Sequence, residues 1–132
     1  GALYGTDLYQ PGYDRRFALR PNATVSVSTS VFWLSEVDFV RRSISSGPGH
    51  STGLYEYQKL SYEPIQGAVL SIRQDLERRV IGDPSTSVVT VGPVFDGYPR
   101  PHFDVQLNLR KVYVPEGSPS SWLYTALFHY YL

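Results

Sequence analysis

The sequence contains no cysteine, which excludes disulfide staples, thiolate nucleophiles and cysteine-held metals, and leaves the redox compartment open. It contains no methionine either. Removal of a start Met before the small Gly1 accounts for this as well as excision from a longer precursor does. If a start Met was removed, Gly1 is exposed, but Gly5 stands where a myristoylation signal needs Ser or Thr, so no lipid anchor is expected. Long apolar runs are missing: none approaches the roughly 18 to 20 residues of a membrane-spanning helix, and no short apolar leader segment opens the chain. A soluble chain with no membrane partner is expected. An excess of one charge is missing too, since 12 Lys and Arg face 12 Asp and Glu. Gripping nucleic acid by bulk charge is therefore excluded, although charge segregated by face is not. Most of the bases are Arg, whose rigid fork suits phosphates and base edges, and which a GC-rich genome also favours.

What is present fits one domain spanning 1–132. A hydrophobic fraction of 42% and an aromatic fraction of 14% are enough to offset ordering entropy by burial. The 11 Gly and 10 Pro cut the chain into short segments without repeats, the texture of a sheet protein. Residues 1–16 carry Pro11-Gly12 and little periodicity, and read as an irregular arm. Ala23 to Phe39, rich in Val, Ser, Thr and aromatics, reads as two strands broken near Leu34-Ser35; Ser45 to Gly49 is a loop, and Gly53 to Leu60 another strand. Ile65 to Ile81 is ambiguous. Ile65, Val69, Ile72, Leu76 and Val80 recur at helical spacing, whereas Ala68, Leu70 and Ile72 alternate as in a strand, and Gly67 with Pro64 disfavours a helix start.

Beyond Gly82-Asp83-Pro84, Ser87 to Val91 reads as a strand, and Asp96-Gly97 with Pro99 and Pro101 as a turn. Phe103 to Arg110 alternates apolar and polar strictly, so Phe103, Val105, Leu107 and Leu109 share a buried face, and His102, Asp104, Gln106, Asn108 and Arg110 share a polar one. Ser118 as N-cap with Pro119 at the first position favours a C-terminal helix, on which Trp122, Leu123, Ala126, Leu127 and Tyr130 fall on one face, although the aromatic content would equally suit a strand.

Catalytic signatures are sparse. His50, His102 and His129 lie in three separate segments, so neither a metal nor a cofactor is expected. Ser46-Gly47-Pro48-Gly49-His50 lacks the Lys-Ser/Thr ending of a phosphate loop, and no Gly-x-Ser-x-Gly elbow occurs. Glu36 and Asp38 share a strand face as solvated charges, and Asn22-Ala23-Thr24 is a chance sequon. The Arg15-Arg16, Arg41-Arg42 and Arg78-Arg79 pairs each place at most one Arg on a given face. No catalytic residue and no enzyme activity are expected.

The order of features in the C-terminal half, over about the last half of the chain, resembles the coat proteins of single-stranded RNA phages. Leu70-Ser71-Ile72-Arg73-Gln74 is similar to that family's central strand, Ser87 to Val91 with Asp96-Gly97 to the next strand and loop, and His102 to Arg110 to the strand crossing the RNA-facing sheet. Pro115-Glu116-Gly117-Ser118 leading into Trp122 to Leu132 is similar to the turn into its C-terminal helix. The N-terminal half is longer than the family's, and the chain stops where the family adds a further short helix.

The resemblance implies an α+β fold: an antiparallel sheet with a C-terminal helix, in an intertwined homodimer whose continuous sheet carries helices on one face. It implies a capsid protein assembled in the cytoplasm of a host bacterium into a closed shell, with genomic RNA hairpins and the chain itself as partners. Ser71, Arg73, Thr90, His102, Gln106, Asn108 and Arg110 are then the RNA-binding candidates, and Trp122, Leu123, Ala126 and Leu127 the dimer contacts. The alternatives are a tail or neck component of a virus without RNA binding, and an outer-membrane barrel fragment, for which too few strands are legible.

Overall fold

A computed structural model describes residues 2–5, 13–44, 50–115 and 119–131. Its strands are β1 (Ala2–Gly5), β2 (Tyr13–Leu19), β3 (Asn22–Ser26), β4 (Val31–Ile44), β5 (His50–Ile65), β6 (Ala68–Arg78), β7 (Ser87–Arg100), β8 (Phe103–Tyr113) and β9 (Ser121–Tyr130). They form one sheet in the order β1-β2-β4-β5-β6-β7-β8-β9, with β3 paired to β4 beside β2. Every pairing is antiparallel. From β4 onward the chain is a meander in which each strand pairs with the next.

This overturns the α+β expectation. The only helical segment among the described residues is a single 3₁₀ turn, Pro84–Thr86, whose cap Asp83 accepts from the Ser85 N–H through Oδ1 at 3.0 Å. The predicted C-terminal helix is strand β9, and no helix among the described residues covers either face. Helical spacing at Trp122, Leu123, Ala126 and Leu127 coincides with a sequence rich in aromatics, and ten residues cannot hold a helix without a packing partner. Pairing along β8 from Val112↔Ser121 to Phe103↔Tyr130 gives those backbone groups their bonds instead. Ser118, the predicted cap, lies outside the described residues.

Other boundaries move as well. The arm expected over 1–16 contains β1 and the start of β2, in register Ala2↔Leu19 to Gly5↔Arg16. The break between the next two strands falls at Val27 to Ser30 rather than at Leu34-Ser35. The loop expected over Ser45 to Gly49 lies outside the described residues. The ambiguous stretch from Ile65 is a strand, because Gly67 is the second residue of a two-residue hairpin turn, at φ 82°, and pairs Ile65 with Ala68. The residue that argued against a helix is the one that starts the strand. Asp96-Gly97 is not a turn but the interior of β7, and the chain reverses at Pro101-His102.

Alternation along each strand and the ladder registers assign every side chain to one of two faces. On one, Trp33, Leu60, Ile72, Pro93, Leu109 and Tyr124 stand in a row across six strands, with Val31, Tyr62, Leu70, Phe95, Leu107 and Ala126 in the row beside it. On the other lie Lys59, Arg73, Asp75, Asp96 and Arg110 with Ser61 and Ser71, whereas polar residues on the first, such as Gln58, Gln74 and Lys111, stand beyond these two rows. The buried apolar residues Ala18, Val40 and Val94 all sit on this second face, Ala18 and Val40 side by side in register with Gly53. Leu60, Ile72, Tyr62 and Leu70 on the first are about half exposed. The sheet is a single layer, and its apolar face is the open one.

Candidate functional site

The polar face brings together nearly all the RNA-binding candidates. In register across β5 to β9 run Lys59, Arg73, Gly92, Arg110 and Leu123, and in the neighbouring row Ser61, Ser71, Val94, Asn108 and Thr125. Thr90 stands opposite Asp75. His102 does not join them: it occupies the β7–β8 turn at φ 64°, exposed, where its carbonyl accepts from the Tyr131 N–H at 2.8 Å.

Two carboxylates organise this face. Asp75 accepts from Arg73, whose Nε lies 3.0 Å from both its oxygens and whose Nη2 lies 2.9 Å from Oδ1, and it also accepts from Arg110 Nη1. The Arg73 guanidinium stacks 4.7 Å above the Tyr57 ring. Asp96 accepts from Lys59 Nζ at 2.7 Å and from Gln106 Nε2 at 2.6 Å, and Asn108 Nδ2 donates to Gln106 Oε1 at 3.3 Å. The register places Ser61 and Ser71 between Lys59 and Asp96, so the lysine stem crosses them. Both are buried, and Ser71 donates to Ser61 at 3.0 Å. Long side chains paired with one another thus tile the polar face. Lys59, Asp75 and Asp96 were not singled out from the sequence, because what marks them is contact between strands as far as 37 positions apart.

The electrostatic consequence is direct. The candidate cations Arg73 and Arg110 share the single carboxylate of Asp75, which leaves that trio one positive charge, while Lys59 is matched by Asp96, so a phosphate competes with a carboxylate for each of them. Arg79 pairs with Glu77, and Arg20 with Asp38. Among the buried atoms with unused hydrogen-bonding capacity are Asn108 Oδ1 and Arg110 Nε, two positions apart on the same face. Among the described residues no three His, Asp or Glu side chains gather into a metal-binding group.

At one end of the sheet Asp104 accepts from Tyr131 Oη at 3.2 Å and lies 3.1 Å from His129 Nδ1. The hydrogen bond to this carboxylate, reinforced by its charge, raises the Tyr131 pKa above the ordinary 10.0. Asp104→Asn is expected to bring it back down, checked by following tyrosine ionisation above neutral pH. An unchanged titration would mean that the bond does not form in solution.

The apolar face holds a cleft of about 630 Å³ lined by residues of β5 to β8, with Leu60, Leu70, Ile72, Phe95 and Leu107 among its walls. Beside it β9 lifts an aromatic ridge, Trp122, Tyr124, Phe128 and Tyr130, each more than half exposed. The predicted dimer contacts therefore divide. Trp122 and Ala126 project from the apolar face, whereas Leu123 and Leu127 project from the polar one, because a strand alternates where a helix would have gathered all four. With Trp122 54% exposed, its truncation removes no buried core from the single chain.

No family model, curated protein or solved structure matches the chain. Its surfaces carry the functional reading. The outer edge of β9 pairs with nothing among the described residues, and its ten residues contain no Pro, Gly, Lys or other guard against edge pairing.

Proposed function

We propose that the chain is a self-assembling structural subunit of a viral particle, the role implied by its resemblance to single-stranded RNA phage coat proteins. One observation carries the reading: two adjacent rows of apolar side chains cross six strands of a single-layer sheet and face outward. Stable sheets bury such a face against a second layer, and monomeric proteins rarely expose patches of this extent. The unguarded β9 edge supplies a second adhesive surface. A lattice needs at least two distinct contacts per subunit, and the face and the edge provide them.

The tail or neck alternative gains from the polar face, where Lys59, Arg73 and Arg110 are each already paired with a carboxylate. Nucleic acid packaging then rests on the few uncommitted groups around Asn108 and Arg110 rather than on charge. The outer-membrane alternative is not limited by strand number, as the sheet has enough strands. It is opposed by the open sheet: among the described residues β9 does not pair with β1, whereas a membrane barrel must close so that no strand edge is left unpaired.

Purified protein is expected to sediment as particles far larger than the 14.9 kDa chain, with regular assemblies visible by electron microscopy. The ratio of absorbance at 260 and 280 nm, before and after nuclease, then separates the coat reading from the tail reading. A monodisperse monomer at high concentration overturns both.

A further inference from the structure

We propose that a second copy of this chain covers the apolar face, the β9 aromatic ridge of each copy seating in the β5–β8 cleft of the other. The inference deepens the assembly reading above and rests on it. Cleft and ridge lie side by side on the same face of the same sheet, so neither can fill the other within one chain. The described residues provide no helix to occupy the cleft. A two-fold rotation about an axis along the strands, between ridge and cleft, brings each ridge over the partner's cleft and makes both contacts at once.

The chemistry of the two surfaces matches. The cleft walls are aliphatic and aromatic, and Tyr124 and Phe128 on the ridge are 72% and 65% exposed. Rigid aromatic side chains seated in apolar pockets are the usual anchors of protein interfaces. Eight large side chains in the two rows are 36–72% exposed; with ~150–250 Å² for a whole aromatic side chain and somewhat less for an aliphatic one, covering what is left of them buries on the order of 700 Å² per copy, close to the ~800 Å² that a stable interface buries on each partner. Lys111, one row beyond the apolar rows, is held over Tyr113 and Trp122 at 5.2 and 5.8 Å from their ring centroids, marking the polar margin.

The test uses one ridge variant, Tyr124→Ser, and one cleft variant, Ile72→Asp. Both positions are more than half exposed, so each variant should keep the strand signal of the parent in circular dichroism. Each alone is expected to weaken dimerisation at least tenfold in sedimentation velocity, since every homodimer loses both ridge–cleft contacts. Mixed in equal amounts they should associate more tightly than either alone, because the mixed pair retains one intact ridge in one intact cleft. Equal behaviour of the mixture and the separate variants overturns the reciprocal seating. If the parent assembles and both variants assemble as it does, this inference fails and the assembly reading stands. If the parent is monomeric, both fail. A parent that is monomeric in buffer but floats with phosphatidylcholine vesicles would assign the cleft to lipid and overturn the proposal as well.

Discussion

Replacing Gly92 by alanine is expected to destabilise the sheet by about 3 kcal/mol, the upper part of the usual range for overpacking. A Cβ at this position would lie 2.2 Å from the Leu109 carbonyl oxygen and 2.8 Å from Arg110 Cα, and both are backbone atoms that no rotamer change can move. Relief requires opening the β7–β8 ladder. Gly92 also stands between Arg73 and Arg110 in one row of the polar face, and the gap it leaves is where the two guanidiniums converge on Asp75. Gly82→Ala is the control: its φ of 97° strains any side chain, yet nothing lies within 4 Å of the added carbon, so about 1 kcal/mol is expected. Denaturant midpoints at one fixed protein concentration make the comparison, because association adds to apparent stability. Equal losses at the two glycines would mean that the strands do not approach as described.

Removing the carboxylate of Asp75 is expected to cost about 2 to 3 kcal/mol, since it leaves the Arg110 guanidinium, with its side chain only 12% exposed, without its ion partner. Arg73→Ala should cost no more than about 1 kcal/mol, because that pair is about 30% exposed at both ends and partly screened. The two substitutions also separate the readings of the polar face. With both guanidiniums released, Asp75→Asn should bind a single-stranded RNA hairpin more tightly and with a steeper salt dependence than the parent. Arg73→Ala should leave hairpin binding nearly unchanged, in contrast to what the sequence reading gave this residue, because its charge is already committed. A parent that binds hairpins tightly and loses binding on Arg73→Ala would show that RNA displaces Asp75, and would favour the coat reading over the tail reading.

The division between legible and illegible features follows the range of the interactions. Phe103 to Arg110 was legible as a strand with two chemically distinct faces, and the register places Gln106, Asn108 and Arg110 on one face with Ser71 and Arg73. The expected burial is reversed, however: Leu107 and Leu109 are 44% and 40% exposed and Asn108 only 8%, because alternation marks two faces without saying which one other side chains cover. The C-terminal segment was misread because Trp122, Leu123, Ala126 and Leu127 satisfy a helical period locally, while the pairing that makes them a strand comes from β8. His102 was misplaced because strand parity was extended one residue into a turn.

By itself the sequence determined that this is a strand-forming chain with one polar and one apolar side to its sheet, and which residues of its central strands belong to each, since both follow from periods of two or three letters. Only the tertiary structure decided that Lys59 meets Asp96, that Arg73 and Arg110 share Asp75, and that among the described residues β9 ends the sheet as an unguarded edge and no helix covers the apolar face. Those facts depend on strand order and register, which are set by the summed fit of distant pairs and leave no local mark.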